Sequence, residues 1–339
     1  MKRRAFVGGA AALPAFGILR SAYAQSKEIR MIESGGLSGD SIQVGYIDPL
    51  KAKTGINVVR ESPSSLGKLL AIVESGQTTT TMFELGQSVM VQARKLGLIE
   101  KLDWAAIDPA AMYPEAKAEY GFGYQYFSTI MAWRSDAKAP KNWAEFFDIK
   151  AFPGKRCLPD YPHYVLAFAA QAAGVPLDKI FPLDVDLAFK KLNEIKKEVA
   201  VWWKAGAQPP QLMKDNEVKY SICWSGRVVG DPAFGMSFNG GKADLSYFGI
   251  VKGSKPEDKA AAYKLMHEMS LPENQAKAAT VISYTGPSPN LDALLPKDKL
   301  WQFPSASENK KVQYFENAEW WADNGDAVNK KWEAFKLSL

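Results

Sequence analysis

The fold is decided by residues 28–97, EIRMIESGGLSGDSIQVGYIDPLKAKTGINVVRESPSSLGKLLAIVESGQTTTTMFELGQSVMVQARKLG, where strand and helix patterns alternate three times. Short extended runs bounded by turn residues predict strands at Glu28–Glu33, Ile56–Arg60 and Thr81–Leu85. The segments behind them have apolar residues at helical spacing, which predicts helices at Asp40–Lys53, Ser64–Ser75 and Val89–Leu96. Strands that alternate with helices predict an α/β protein with a mostly parallel sheet covered by helices.

The loops that follow these strands are the first candidate binding positions. Ligands of open parallel sheets bind beyond the carboxyl ends of the strands. Two such loops are Ser34–Ser38 and Gly86–Ser88. Ser34, Gly35 and Gln87 are therefore candidate ligand-binding residues.

A second series of strands and helices follows a long extended stretch at Tyr120–Arg134. Its predicted strands are Lys155–Leu158, Lys219–Trp224 and Leu245–Val251. Two such series, joined by more than one extended crossing, predict two lobes with a cleft between them. We expect lobe 1 at residues 27–131 plus about 249–300, and lobe 2 at residues 132–248 plus about 301–339.

The N-terminus has the pattern of an export signal peptide over residues 1–24. Lys2, Arg3 and Arg4 precede about fifteen small and apolar residues, and Ala22-Tyr23-Ala24 matches a cleavage site. The apolar run is shorter than the roughly 20 residues that span a membrane. The Arg3-Arg4 pair resembles a twin-arginine signal, although such pairs also occur in ordinary secretory signals. The sequence therefore predicts export to the periplasm.

Composition excludes several functional classes. The predicted signal holds four basic residues and no acidic one, so the net charge of +5 falls to about +1 after its removal. No basic tract interleaved with aromatic residues indicates nucleic-acid binding. The two cysteines, Cys157 and Cys223, lie in strand-like runs, where either one disulfide or two buried free thiols is expected.

Few residues are available for catalysis. The sequence has two histidines and no nucleophile-elbow, zinc-ligand, Walker A or dinucleotide-binding motif, so we expect no metal and no cofactor. Asn239-Gly240-Gly241-Lys242 superficially suggests a phosphate loop, but a simple turn is the better interpretation.

Residues suited to binding a small molecule are more numerous. Aromatic side chains with a few fixed polar groups are typical of small-molecule pockets. Such residues, with Phe127 among them, gather where predicted strands end, and the candidates are Tyr126, Asp160, His163, Trp224, Arg227, Tyr284 and Trp321.

The order of these segments resembles the periplasmic spermidine/putrescine-binding proteins, the receptor subunits of ABC importers. The resemblance covers roughly residues 28–335. The matching pieces are KTGINV (53–58), KLGLI (95–99), NWAEFF (142–147), PGK (153–155), CWSG (223–226) and YTGPSPN (284–290). It implies a type II periplasmic-binding-protein fold, in which two mostly parallel sheets form hinge-linked lobes that close on a solute.

The resemblance also implies ligand positions. The family's aromatic sites match Tyr126, Trp224 and Tyr284, its C-terminal site falls at Trp321, and the loop after the first strand of lobe 2 falls on Asp160–His163.

Two departures oppose a polyamine ligand. The family's amine-pairing Asp falls near Ser246, and Arg227 follows Trp-Ser-Gly where a polyamine site would not favour a cation. A guanidinium instead matches a carboxylate or phosphonate. The alternative for Arg227 is a salt bridge inside one lobe.

We therefore expect a monomeric periplasmic binding protein that delivers a small polar solute to an ABC permease. The solute is polyamine-like by family, or a small organic anion or zwitterion by pocket residues. The alternative is an extracytoplasmic lyase or hydrolase that uses Asp160, His163 and Arg227.

Overall fold

The computed structural model describes residues 27–338. The predicted export signal at residues 1–24 lies outside this range. Among the described helices, none is long and apolar enough to cross a membrane.

Eleven strands are present in the described part of the chain. They are β1 (Glu28–Ile32), β2 (Asn57–Glu61), β3 (Met82–Gly86), β4 (Ile99–Glu100), β5 (Lys117–Ala118), β6 (Gly121–Arg134), β7 (Arg156–Pro159), β8 (Val199–Trp203), β9 (Tyr220–Trp224), β10 (Phe234–Val251) and β11 (Tyr314–Phe315). Their order is β2-β1-β3-β10-β6-β9-β7-β8, with β4 and β11 paired to β10 and β5 paired to β6.

The helices cover both faces of the sheet. The α-helices are α1 (Gly36–Ile42), α2 (Asp48–Thr54), α3 (Leu66–Glu74), α4 (Gln87–Lys95), α5 (Trp104–Ile107), α6 (Trp143–Phe147), α7 (Leu166–Ala172), α8 (Val185–Ile195), α9 (Gln208–Lys214), α10 (Pro256–Ser270), α11 (Pro272–Ala278), α12 (Ser307–Lys311) and α13 (Ala318–Lys336). A π-helical segment, Gln43–Ile47, joins α1 to α2, so the helix expected at Asp40–Lys53 begins four residues earlier. Short 3₁₀ turns include Pro162–Tyr164 and Ser225–Arg227.

The two long strands, β6 and β10, pass through both halves of the sheet. β1 pairs in parallel with β2 and β3 in the first half, and β7 pairs in parallel with β8 and β9 in the second. β6 and β10 run antiparallel to each other between these units. The predicted two-lobed α/β architecture is confirmed, and the two parallel units belong to one continuous hydrogen-bonded sheet.

The change of strand partners marks where the chain crosses between halves. Residues 129–133 of β6 pair with β9, whereas 246–250 of β10 pair with β3. The crossing therefore lies several residues before the lobe limits expected at residues 131 and 249, and those limits stay a prediction.

β10 is longer than the sequence indicated. The predicted strand Leu245–Val251 starts at Phe234, and the expected turn at Asn239–Lys242 is instead a bulge inside it. The ladder with β6 runs Ser237↔Met131 and then Lys242↔Thr129. Gly240 has φ +67 in the bulge, and its carbonyl accepts hydrogen bonds from Trp143 Nε1 (2.8 Å) and the side chain of Gln171 (2.9 Å). Pairing with β6, which is remote in sequence, determines this strand.

Each half has its own hydrophobic core on both sheet faces. In the first half one cluster includes Ile29 and Leu265, and a second includes Leu69 and Phe83. In the second half one includes Phe146 and Trp332, and another includes Trp203. Burying one such large apolar side chain contributes about 1.5–3 kcal/mol to the free energy of unfolding, so each core stabilises its own half of the sheet.

The two cysteines are buried free thiols. Cys157 lies opposite Ser221 in the β7–β9 ladder and its thiol donates to Ser221 Oγ at 3.2 Å. Burial raises the pKa of Cys157 to about 12 and also raises the pKa of Cys223. Of the two states expected from the sequence, the structure has the free thiols.

Thiol titration tests this arrangement. We expect the native protein to react slowly with a thiol reagent, because buried thiols with raised pKa form little thiolate. After denaturation without reductant, two thiols per chain should react rapidly, since the sequence has two cysteines. A count near zero in denaturant would show a disulfide instead.

A glycine substitution tests the bulge in β10. In Gly240→Ala the new Cβ would lie 2.5 Å from Gln171 Oε1 and 2.8 Å from the Trp143 ring. Gly55 is a matched control, because it also has positive φ (+73) but no atom within 4 Å of the added Cβ. Both variants carry backbone strain of about 1–2 kcal/mol, and overpacking adds about 1–3 kcal/mol at Gly240 alone. Urea unfolding measures the difference, and equal losses would contradict the packing described here.

Candidate functional site

A cavity of about 330 Å³ lies beside the crossing of β6 and β10. Its walls come from the loop after β1, the ends of β3 and β9, the two crossing strands and the segment around residue 284. The lining residues are Ser34, Gly35, Gly36, Leu37, Ser38, Glu84, Gln125, Phe127, Trp224, Arg227, Ser246, Ile282 and Tyr284. The cavity is therefore built from both halves of the sheet.

Buried side chains hold the loop after β1 in place. The Ser34 backbone N–H donates to Glu84 Oε2 at 2.6 Å, and the Gly35 N–H donates to Glu33. Ser38 Oγ donates to the side-chain oxygen of Gln125 at 2.7 Å. These contacts connect the loop after β1 to β3 and β6, so hydrogen bonds within the protein hold this side of the cavity in place.

Aromatic rings form one wall of the cavity. The Phe127 ring centroid lies 6.4 Å from that of Trp224 and 5.8 Å from that of Tyr284. Trp224 packs in front of Tyr164 at 6.1 Å and over Gly206, where any Cβ would collide with its ring. In residues 27–338 its buried Nε1 has no acceptor, which leaves an unused donor beside the cavity.

Arg227 provides the cationic group of the cavity lining. It lies in the 3₁₀ turn directly after β9, with its guanidinium carbon 6.0 Å from the centre of the Trp224 ring. Within residues 27–338 no carboxylate forms an ion pair with it, so the salt-bridge interpretation is not supported by any described partner. Burial raises the pKa of Tyr284 to about 12, although the nearby Arg227 lowers it.

The structure brings six of the predicted binding residues to this cavity: Ser34, Gly35, Trp224, Arg227, Ser246 and Tyr284. Their assignment as solute-binding residues stays a prediction. Sequence reasoning missed Glu84 and Gln125 as lining residues, whereas Phe127 was among the aromatic residues expected near strand ends. Glu84 had a signal, because it is an acidic residue inside the apolar predicted strand Thr81–Leu85.

The structure places the other predicted residues elsewhere. Gln87 donates to the backbone oxygen of Glu316 at 3.0 Å, and Tyr126 donates to Glu115 at 2.7 Å. Tyr126 lies between two lining residues of β6 and therefore projects to the opposite face.

The second-half candidates are also occupied with other partners. Asp160 accepts from Trp332 Nε1 at 3.1 Å and pairs with Lys336 at 3.1 Å rather than with Arg227. His163 packs against Trp321, with ring centroids 6.0 Å apart. Asp160, His163 and Arg227 thus share no contact of the kind that the alternative enzyme requires.

A buried ionic cluster lies next to these aromatic residues. Lys242 Nζ lies 2.8 Å from Asp244, 2.6 Å from Glu316 and 4.2 Å from the centre of the Tyr164 ring. Burial raises the pKa of Asp244 to about 6, although Lys242 opposes the shift. His163 faces this cluster, and burial together with Lys242 holds its pKa well below the usual value of 6.5.

A larger cavity, of about 860 Å³, lies where α4 faces residues 313–319. Its lining includes carboxylates but no Lys or Arg, and three of these carboxylates already have partners. Glu115 pairs with Lys310, Glu316 with Lys242 and Glu319 with Arg94. Because its charges are largely satisfied, the smaller cavity is the better candidate site.

No group of three or more His, Cys, Asp and Glu in residues 27–338 is arranged to hold a metal ion. The cavity lining contains a guanidinium, a carboxylate, hydroxyl and amide groups, and an aromatic wall. Groups of these kinds are typical of sites for small polar molecules.

A two-lobed α/β fold with such a cavity defines the class of solute-binding proteins. Residues 45–306 match the family model of the bacterial extracellular solute-binding proteins. The chain belongs to this family, which places it outside the cytoplasm.

Relatives agree with this assignment. The chain is 31% identical over 328 residues to the gamma-aminobutyric acid-binding protein of Pseudomonas aeruginosa, covering 93% of this chain and 92% of the relative. It is 32% identical to an ABC transporter substrate-binding protein from Bradyrhizobium japonicum, with a TM-score of 0.85, covering 91% of this chain and 99% of that chain. The Atu4243-GABA receptor is 30% identical, with a TM-score of 0.82, and the match covers 91% of this chain and 97% of that chain. The prediction of a solute-binding protein of an ABC importer is confirmed.

The buried His163 generates a pH prediction. Its folded-state pKa lies well below 6.5, so only the unfolded state gains a proton as the pH falls through 6.5. The stability that neutral His163 contributes is present above pH 6.5 and is lost on acidification, by up to about 1.4 kcal/mol per pH unit.

Urea unfolding between pH 7.5 and 5 measures this loss. In His163→Gln the loss should disappear, so the stability difference between wild type and variant shrinks as the pH falls. His163→Asn is the control, because it also cannot titrate and should show the same pH profile at a different absolute stability. A difference independent of pH in both variants would contradict the prediction.

Proposed function

We propose that the cavity beside β6 and β10 binds a small carboxylate-bearing solute, an organic anion or zwitterion, with Arg227 as the carboxylate partner. The observation that carries this proposal is a guanidinium that lines the cavity without an ion-pair partner in residues 27–338. A guanidinium binds a carboxylate through two parallel hydrogen bonds, which fixes orientation as well as charge. Two relatives named for gamma-aminobutyric acid support a solute of this chemistry.

A polyamine ligand fits this cavity less well. A polyamine carries positive charges only, and Arg227 would repel it across a partly desolvated space. Ser246 lines the cavity at the place where the polyamine-binding family has an amine-pairing Asp. Glu84 would then be the one carboxylate of the lining, facing an excess of positive charge.

Capture of the solute works by a shift in population between open and closed lobes. The loop after β1 belongs to the first half, and Trp224 and Arg227 belong to the second. A solute that contacts both therefore stabilises the closed arrangement. The bending occurs where β6 and β10 cross, and the lobes are those expected at residues 27–131 plus about 249–300 and 132–248 plus about 301–339.

The remaining assignments complete this proposal. The signal at residues 1–24, which resembles the twin-arginine type, exports the chain to the periplasm, and the mature monomer delivers its solute to an ABC permease. It binds no nucleic acid and does not convert its solute. The separate partners of Asp160 and His163 support the absence of catalysis, because an acid–base pair must share a substrate.

Calorimetric titration of the mature chain tests the role of Arg227. We expect 4-aminobutyrate or a related carboxylate to bind, and Arg227→Gln to weaken binding at least about tenfold, because one charge-assisted bidentate contact is lost. Arg30→Gln is the matched control, since Arg30 is an exposed arginine on β1 that pairs with Glu61.

Two results would overturn the proposal. One is tight binding of putrescine or spermidine that Arg227→Gln leaves intact. The other is release of a chemically altered solute after prolonged incubation, which would restore the enzyme alternative.

A further inference from the structure

We propose that Glu84 binds an ammonium group of the solute, so that the site selects zwitterions whose amine and carboxylate are separated by a short apolar chain. This inference rests on the proposed function, because it takes Arg227 as the carboxylate partner at the other end of the same cavity.

Glu84 is a buried carboxylate for which the described part of the chain supplies no counter-ion. It is 6% exposed and lines the cavity from the middle of β3. Within residues 27–338 no Lys, Arg or His forms an ion pair with it. Its two oxygens accept hydrogen bonds from Tyr124 Oη (2.8 Å) and from the Ser34 N–H (2.6 Å).

The other buried carboxylates of the described chain are all paired. Glu33 pairs with Arg60, Glu268 pairs with Lys53, and Asp244 and Glu316 share Lys242. A buried charge that lacks a partner is costly unless function requires it. Glu84 is thus the exception, and it is also the carboxylate that faces the candidate site.

The surroundings of Glu84 favour a cationic ligand group. Burial raises its pKa above the usual range, and Glu33 raises it further, although the bonds from Tyr124 and Ser34 act in the opposite direction. An arriving ammonium would provide the missing opposite charge and stabilise the ionised form. The Tyr124 hydroxyl and the Ser34 N–H both donate to Glu84, as donors to an ionised carboxylate do. They therefore fix the orientation in which the carboxylate would meet an ammonium group.

The opposite charge in the lining comes from the other half of the sheet. Glu84 and Arg227 do not form an ion pair within 4.0 Å, although both line the same cavity. The same lining contains the apolar side chains of Leu37, Phe127 and Ile282.

In this proposal the ligand carries its amine and its carboxylate on different carbons, so that each group reaches its own partner. An ω-amino acid meets this requirement, whereas an α-amino acid bears both groups on one carbon. Because the two charges lie on different halves, such a ligand also links the lobes in the closed state.

The decisive experiment compares ligands with and without the amine. Calorimetric titration of the mature chain uses 4-aminobutyrate, 5-aminopentanoate, butyrate and glycine. We expect 4-aminobutyrate or 5-aminopentanoate to bind at least about 100-fold more tightly than butyrate or glycine, by analogy with other buried charge pairs. Equal binding of butyrate and the amino compounds would overturn the inference without any mutation.

Two variants sharpen the comparison. In Glu84→Gln the preference for the amino compound over butyrate should fall to within about tenfold, while butyrate affinity stays unchanged or improves. Glu84→Asp keeps the carboxylate but shortens it, and should move the preference towards the longer 5-aminopentanoate. Glu268→Gln is the control, because it also removes a buried carboxylate but lies outside the cavity lining.

The outcomes separate this inference from the proposed function. If Arg227→Gln weakens binding of both ligand classes but Glu84→Gln keeps the wild-type preference, only the ammonium assignment fails. If Arg227→Gln leaves both classes unaffected, the proposed function itself fails. Should Glu84→Gln not fold, an unchanged chain-length preference in Glu84→Asp would still overturn the inference.

Discussion

The antiparallel pairing of β6 with β10 is the constraint on which the rest of the structure depends. These strands complete the parallel unit of the first half and continue into the second, so they connect the lobes and support the cavity between them. Side chains alternate along a strand, so Phe127 faces the cavity while Tyr126 faces away and bonds Glu115. A slip of one residue would exchange these faces and remove Phe127 from the cavity lining.

Charge neutralisation distinguishes the cavity from the interior around it. Elsewhere the buried carboxylates lie beside lysine or arginine, and even the crowded Asp244 and Glu316 share Lys242. In the candidate site a carboxylate and a guanidinium line one space without neutralising each other or finding other ionic partners in the described chain. Buried charges without partners are more common at binding sites, because a ligand there can supply the opposite charge that the protein lacks. The larger cavity differs in this respect, because most of its carboxylates already form ion pairs with lysine or arginine.

Much of the fold could be predicted from residue patterns, because local periodicity reports which face of a segment is buried. The three strand–helix units of residues 28–97 are present with shifted ends. The first half of β10 escaped prediction because its bulge resembles a turn and its pairing partner lies about 100 residues away. Among the cavity residues, sequence patterns pointed to those that follow a strand, such as Trp224 and Arg227. They did not point to Glu84, because its lack of an ionic partner depends on which distant segments pack around it.

The sequence by itself determined the α/β class, the two-lobed architecture and the solute-binding class of the protein. It could do so because periodicity, turn residues and short motifs are local properties. Only the tertiary structure decided that Cys157 and Cys223 stay free, that Asp160 pairs with Lys336, and that Arg227 and Glu84 line one cavity. The physical reason is that burial and charge pairing are set by segments far apart in the chain, and no local pattern records the distance between them.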